Sequence, residues 1–540
     1  MGKWIRRHLY IFFAIPTVLF FLSSVLISTY LPVYIENQVA QRLVLVNGSW
    51  FFDAWQTQRA DVFSSYYIFE VLNPEEIIQG VTPIRVREVG PFVFQKFTKT
   101  EILGIHESDQ SEMTFQRIDE YVLRRDMSNM PALHRPITMV NLPVVAAVSA
   151  GRKNGFAWKY GLRTWINWFG ESLFMNRTPH DFLLTPYRLP FTLFTTSYDV
   201  VGHLNGTSIG VWRIHTGARN QDLAANVITF DGKTQFCWNG PPCSDVTGSD
   251  GTIFPRPVRR ESRLSVFAPE LKTSLIAKYR KDVVEDGLLM YQFNIMEENL
   301  WSPDRYPPNE CYCIKKNISA FPNYCPSGGI LDISDCRDGK PDIVLSQPHF
   351  LNAHTIFLKK FQGLTPDQEK HESYVLVEPS LGMTVGAEVR FQVNVDVDAM
   401  REFEKYEKVA SVIFPSWYLS ESVHAGPGAL DPIRSYYRTL WLADFVPKVL
   451  LSLGVITLAI TIALYTYASV SARRRKKNRR TTPTTSDSDE SKSTDSSQSP
   501  PYKKKKKMRA KIIHVSKSDS KSLDTKSNDS FGNRDSESLL

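Results

Sequence analysis

The amino-acid sequence predicts an α+β ectodomain, mainly an antiparallel β core with a helical insertion, anchored by two transmembrane helices. Three observations carry this. Two long apolar stretches bracket the 540-residue chain, with basic residues crowded outside them. Between them, several segments alternate apolar and polar residues with the period of a half-buried strand. One internal stretch, residues 141–174, changes to small, apolar and aromatic residues interrupted by glycine, a helical texture.

Residues 9–31 and 445–468 are each long enough to cross a bilayer core of about 30 Å as a helix. Lys3, Arg6 and Arg7 precede the first, and Arg473, Arg474, Arg475, Lys476, Lys477, Arg479 and Arg480 follow the second. Positive charge stays on the cytoplasmic side, so residues 1–8 and the tail 469–540 are expected inside and 32–444 outside or luminal. A cleaved signal peptide fits the first stretch less well, because the apolar run is too long and no small-x-small cleavage site follows it. The formal charge of +8 is unevenly placed: residues 469–540 carry +10 and residues 1–8 carry +3, leaving −5 between. A basic excess confined to the cytoplasmic, juxtamembrane ends points to an anionic leaflet and away from nucleic acid.

The six cysteines, 237, 243, 311, 313, 325 and 336, all fall in the exoplasmic segment. That distribution reads as three disulfides in an oxidising compartment rather than a thiolate metal site. Four sequons, at Asn47, Asn176, Asn205 and Asn317, share that side and are expected to carry glycan; a fifth, at Asn528, is cytoplasmic by the same topology.

In chain order, residues 36–46 suit a short juxtamembrane helix. PIRVREVGPFVFQKF from Pro83 and SEMTFQRIDEYVLR from Ser111 read as strands, as do IGVWRIHTG and LLMYQFNIM. Val385, Ala387, Val389, Phe391, Val393, Val395 and Val397 keep strict period two and predict a long strand with one buried face. The tail from Arg473 is rich in Ser, Thr, Lys and Asp and predicts disorder.

Gly206-Thr-Ser208-Ile-Gly210 matches the form of a hydrolase nucleophile elbow, with His215 close by. Such an elbow needs a strand before the serine and a helix after it. Here VWRIHTG follows with a β pattern, and Thr207 already completes a sequon, so no catalytic residue is expected. His203, His215, His349 and His354 show no ligand spacing, and neither a metal nor another cofactor is expected.

Tyr67-Ile-Phe-Glu-Val-Leu-Asn73-Pro74-Glu75-Glu76, followed by Gly90-Pro91-Phe92-Val93-Phe94, resembles a paired "NPxE … GPYxY" signature. Cys243 to Gly251 running into Phe254-Pro255, Cys311-Tyr-Cys313, Gly329 to Cys336, Ser346-Gln-Pro-His349-Phe350-Leu351, Gly363-Leu-Thr-Pro366 and Glu378-Pro-Ser-Leu-Gly382 continue the match in order. Together they resemble the class B scavenger receptor family, the group of fatty-acid translocase, the high-density-lipoprotein receptor and the lysosomal integral membrane receptor.

The resemblance implies an antiparallel β-barrel crossed by an apolar tunnel and capped by a helical apex bundle, here at about residues 144–174. Glu171-Ser-Leu-Phe and Arg177-Thr-Pro179 match the family there, while Met175-Asn176 stands where Gly-Tyr is usual. Within that region Arg152, Lys153, Lys159 and Arg163 lie among Phe156, Trp158 and Tyr160, a candidate surface for anionic lipid or lipoprotein. The family pattern implies the pairs Cys243–Cys311 and Cys313–Cys325, and with them Cys237–Cys336. It usually places a second cysteine where this chain has Leu271-Lys272-Thr273.

The implied function is a non-enzymatic cell-surface receptor that binds lipid-bearing ligands and passes lipid through the tunnel to the membrane. The alternatives are a lysosomal or endosomal receptor that traffics a luminal protein or exports lipid, and a two-span channel subunit. The second stretch, whose main polar groups are Ser452, Thr457, Thr461 and Thr466, lacks the acidic ring of a pore. Asp535, Leu539 and Leu540 fit an acidic dileucine signal for endosomal adaptors, and the same final residues fit a PDZ ligand. The expectation is plasma-membrane residence with endosomal cycling.

Overall fold

One helix runs from Gly2 to Arg42 and another from Asp431 to Arg480, each containing an apolar stretch long enough to span a bilayer. The structure, a computed structural model, describes residues 2–57, 60–106, 108–151, 156–187, 200–295, 297–313, 328–336, 343–426 and 428–480. Arg152, Lys153, Cys325, Asn317, Asp535, Leu539 and Leu540 lie outside them. The separate juxtamembrane helix expected at residues 36–46 is absorbed into the first helix as far as Arg42. Neither Gly nor Pro intervenes between Pro32 and Gly48, so nothing in that stretch breaks the helix sharply before Arg42.

The two membrane helices touch through their few polar and small residues. Thr17 Oγ1 meets Thr457 Oγ1 at 2.9 Å, and Ser24 Oγ donates to the Pro447 carbonyl at 2.8 Å. A Cβ at Gly454 would stand 3.2 Å from the Phe21 ring. Small residues and hydroxyls drive such packing in hydrocarbon, where apolar contact with a neighbouring helix gains nothing over contact with lipid. A second compact unit starts at Ala468, and its described part, to Arg480, continues as helix carrying the basic run.

Between these helices the strands are β1 (Ala60–Val71), β2 (Ile84–Ile105), β3 (Glu112–Leu123), β4 (Ile137–Val140), β5 (Phe174–Arg177), β6 (Thr207–His215), β7 (Val227–Phe230) and β8 (Arg263–Ala268). They continue with β9 (Thr273–Glu285), β10 (Leu288–Asn294), β11 (Ile330–Asp332), β12 (Ile343–Ser346), β13 (Phe361–Gln362), β14 (Tyr374–Val377), β15 (Thr384–Asp396) and β16 (Ile413–Ala425). Among the described residues fourteen of them form one sheet, whose main path is β7-β6-β3-β2-β1-β16-β15-β14-β10-β9-β8. The pairings along that path are antiparallel, including the long β15–β16 and β2–β3 ladders. The two ends of the path are then joined. Val227 N donates to the Gly248 carbonyl, while Ser249 N and Phe267 N exchange bonds with Ser265 and Ser249. Segment 248–250 thus bridges β7 and β8, and the sheet closes into a barrel-like ring, which removes its open edges.

Strand registers settle which side chains face inward. Ser64 of β1 stands between Glu421 of β16 and Phe94 of β2, and Lys96 of β2 stands opposite Tyr121 of β3. The inner face therefore carries Tyr66, Phe92, Phe94, Phe115, Trp212, Phe391 and Trp417 among its aromatics. One end of this face packs with the helices Leu142–Gly151 and Phe156–Trp168. The other packs with Leu43, Phe51, Phe52, Trp55, Leu430 and Ile433, which adjoin the two membrane helices.

β15 departs from the expected single buried face. Its apolar side faces inward, but Gln392 and Asn394 on the other side are 0% exposed. Gln392 Oε1 accepts from His349 N at 2.7 Å, and Asn394 Nδ2 donates to Ser346 Oγ at 3.0 Å. The turn after β12 folds over this polar row and satisfies it, so it is buried without penalty.

Candidate functional site

The apex begins where Asn141 caps a helix, its Oδ1 accepting from Val144 N. Asn141 Nδ2 in turn donates to Glu171 at 2.9 Å, and Tyr187 Oη donates to the other Glu171 oxygen at 2.8 Å. Glu171 thus ties both ends of the helical insertion together. Burial and this carboxylate push the Tyr187 hydroxyl up to about 12.

In the second helix Leu162 and Ile166 are buried, while Tyr160, Thr164 and Trp168 form a stripe four residues apart on the outer side. Trp168 is 84% exposed. Of the four expected cations, the side chain of Lys159 also lies outside the described set. Arg163 forms a 2.5 Å ion pair with Glu404, beside a cavity of about 340 Å³ lined by Ile166, Asn167, Phe403, Lys405 and Tyr406. Its guanidinium therefore already has a carboxylate partner within the protein. What the helix presents outward is an aromatic stripe beside a partly neutralised arginine.

A second constellation, on the outer barrel wall, was not legible in the sequence. Glu88, His349 and His371 bring their ligand atoms within 4.8 Å of one another. They line a cleft of about 660 Å³ with Tyr67, Tyr418, Arg390 and Lys370. His349 Nε2 lies 2.6 Å from Glu88, and Tyr418 Oη donates to the same carboxylate at 3.0 Å. The backbone conformation of His349 is left-handed, φ 53° and ψ 24°, which turns its ring into the wall.

Protonation follows from the partners. Thr365 N–H donates to His349 Nδ1 and Asp367 N–H to His371 Nδ1, both at 3.1 Å. Both Nδ1 atoms are acceptors, so both rings carry their proton on Nε2. A metal on Nε2 would drive a proton onto Nδ1, against a backbone N–H already pointing at it. The donor set suits a hydrogen-bonded cluster, not a cation. Burial, then the adjacent His349, bring His371 down to about 4. Burial opposes ionisation of Glu88, but His349 and Tyr418 more than compensate, so its carboxyl lies below the usual range. Burial and Glu88 push the Tyr418 hydroxyl far up.

Two disulfides close the wall on the β8–β9 side. Cys237 is bonded to Cys336 and Cys243 to Cys311, with Cα separations of 5.0 and 5.7 Å. Cys313 is also disulfide-bonded, and the partner expected for it, Cys325, lies outside the described residues. Beside the Cys243–Cys311 bond, Thr273 Oγ1 donates to the Cys243 carbonyl at 2.8 Å and meets Tyr312 Oη at 3.0 Å. Asn47, Asn176 and Asn205 are exposed. Asn205 Oδ1 accepts from Tyr121 N at 2.9 Å, an orientation that turns its Nδ2 away from the strand. Ser208 lies within β6 and not on a strand-to-helix turn, so the elbow geometry is absent there.

The motif residues quoted from the sequence act as tie points. Glu378 accepts from Ser380 N at 3.0 Å and Leu381 N at 2.7 Å, and Tyr437 Oη donates to it at 2.5 Å. It fastens the barrel to the helix that enters the membrane. Gly363 has φ 103°, and a Cβ there would stand 1.9 Å from the Val86 carbonyl, so no other residue fits.

Comparison with known proteins agrees with this arrangement. Lysosome membrane protein 2 of Homo sapiens is 26% identical over 439 residues, 78% of this chain and 87% of that protein. Scavenger receptor class B member 1 of Cricetulus griseus is 26% identical over 454 residues, 80% and 84% of the two chains. Sensory neuron membrane protein 2 of Ostrinia furnacalis is 24% identical over 490 residues, covering 84% and 92%. The model of the CD36 family matches residues 14–465, the whole barrel and most of both membrane helices, and the chain belongs to that family.

Proposed function

We propose that this CD36-family protein is a non-enzymatic receptor for lipid-bearing ligands. Its apex docks an anionic or apolar lipid surface, and the barrel interior conducts acyl chains or sterols to the bilayer. One observation carries the reading: a closed sheet whose aromatic inner face runs from the apex helices to the residues flanking both membrane helices. A lipid inside it would gain roughly 0.8 kcal/mol per buried CH₂ without crossing water. Native mass spectrometry of the full chain, purified in mild detergent, tests this. Retained sterol or acyl lipid is expected; a protein free of lipid from every source membrane would overturn the conduit.

The name of one relative, Lysosome membrane protein 2, and the acidic dileucine match favour a second reading, residence in endosomes or lysosomes. We place the protein at the plasma membrane with endosomal cycling. Surface biotinylation against a lysosomal marker separates the two.

A further inference from the structure

The inner face is not apolar throughout. Between its apex end and its membrane end a row of acidic and basic side chains crosses four neighbouring strands. Lys96 of β2 reaches over β1 to Glu421 of β16, Nζ to Oε2 at 2.8 Å, and stands 4.0 Å from Asp119 of β3. Ser64 Oγ donates to Glu421 at 3.0 Å and Thr98 Oγ1 to Asp119 at 2.6 Å. Above the row lie Phe92, Phe94, Tyr66, Leu419 and Trp417, packed with the apex. Below it lie Phe115, Met113 and Ile102, packed with the residues beside the membrane helices. Between the row and Phe115, one step along β3 from Asp119, Arg117 is paired with the buried carboxylate of Asp250 at 2.7 Å and enclosed by the rings of Trp55, Phe115 and Trp212. Anything passing along the interior from apex to membrane crosses both levels.

The charge count in the upper row is the telling feature. One ammonium faces two carboxylates. Burial alone would lower Lys96, but Glu421 and Asp119 override this and hold it charged. A lysine inside a lipid-binding barrel invites the idea of a dock for a fatty-acid carboxylate. This one already has its counter-ions, and the row carries surplus negative charge.

We infer that the row of Lys96, Glu421 and Asp119 selects uncharged lipid heads, such as sterol or alcohol hydroxyls, esters and protonated acids, over lipid anions. A hydroxyl can exchange hydrogen bonds with Glu421, Asp119, Ser64 or Thr98. A carboxylate must either displace a counter-ion of Lys96 or add a like charge beside it at low local dielectric. The inference names the cargo class and rests on the conduit reading.

The test is photo-crosslinking of the full chain in phosphatidylcholine liposomes, using diazirine-bearing oleyl alcohol and diazirine-bearing oleate at pH 8. The two probes differ only in the head. Adducts on peptides of β2, β3 and β16 are expected to be at least tenfold more abundant with the alcohol. The double variant Asp119→Asn with Glu421→Gln removes both counter-ions of Lys96 and should raise the ratio of oleate to alcohol adducts at least tenfold. Equal labelling of wild type by both probes would overturn the selection and leave the conduit standing. Inner-face labelling by neither would overturn the conduit itself. The wild-type comparison decides the matter even where the double variant does not fold.

Discussion

His349 and His371 stack face to face, ring centroids 4.5 Å apart and planes within 9°, each with its Nδ1 accepting from a backbone N–H. Two neutral imidazoles stack at no electrostatic cost, whereas a charged pair would repel in a buried wall.

The stack makes stability depend on pH. His371 is held at about 4, below the value of about 6.5 for a free imidazole. Between these values the unfolded chain binds a proton that the folded chain does not, so stability rises with pH across that window. The contribution is complete above pH 6.5 and is lost as pH falls toward 4, by about 2–3 kcal/mol. Glu88, held low, adds a loss of the same sign below its unfolded value. Asp367, Arg390 and Tyr418 also face the stack, and the backbone N–H groups of Lys370 and Glu369 hold the Asp367 carboxyl below its ordinary value. His371→Asn keeps an acceptor for Asp367 N–H and removes the titration. Its thermal midpoint should change little between pH 7.5 and 5, while that of wild type falls; parallel curves would sink the argument.

Glu378 links two parts of the chain that are far apart in sequence. It is fully buried and holds two backbone N–H groups and the Tyr437 hydroxyl. Glu378→Ala strands those donors and should cost about 2–4 kcal/mol. Tyr437→Phe removes one bond and should cost about 1 kcal/mol. Chemical denaturation of detergent-solubilised protein measures both. A smaller loss for Glu378→Ala than for Tyr437→Phe would show that the turn at Ser380 finds other partners.

The same contrast explains what was legible beforehand. The membrane helices were readable because bilayer thickness imposes a length on sequence, and the strands because pleat imposes period two on Val385 to Val395. The polar face of β15 looked solvent-facing, since a row of Glu, Arg, Gln and Asn carries no mark of the turn that covers it. His371 carries no sequence signal for a related reason: 22 positions separate it from His349, and no local spacing encodes that meeting. Lys96 sits next to Phe97 in a segment whose alternation is too irregular to say which of them faces in. Pairing with Tyr121 puts Lys96 inside and leaves Phe97 exposed.

Removing the Cys243–Cys311 bond with paired serines opens a loop of 68 positions and should cost about 4 kcal/mol. Thr273→Val, which deletes the bonds to Cys243 and Tyr312, should cost about 1–2 kcal/mol. The two losses should fall short of their sum when combined, because both act on the same carbonyl neighbourhood. Non-reducing peptide mapping checks the pairing; a free thiol at Cys237 or Cys336 in native protein would contradict it.

The apex supplies the sharpest test of ligand capture. Trp168 has little to lose in the folded protein, so Trp168→Ala should leave the thermal midpoint unchanged. If the aromatic stripe enters a lipid surface, that variant should weaken binding of anionic liposomes about tenfold, or about 1.4 kcal/mol. Charge reversal of Arg152, Lys153, Lys159 and Arg163 should weaken it further, and 0.5 M salt should reproduce much of that second effect but little of the first. Arg163 carries a control of its own, because Glu404 already answers it at 2.5 Å. Such a half-exposed pair contributes under about 1 kcal/mol to stability. Exchanging the two, Arg163→Glu with Glu404→Arg, keeps the net charge of the helix pair but moves the positive end. If binding follows net charge alone, the exchange is silent. If the ligand reads the helix face itself, binding falls as in the single reversal, and flotation of liposomes with the purified variants distinguishes these outcomes.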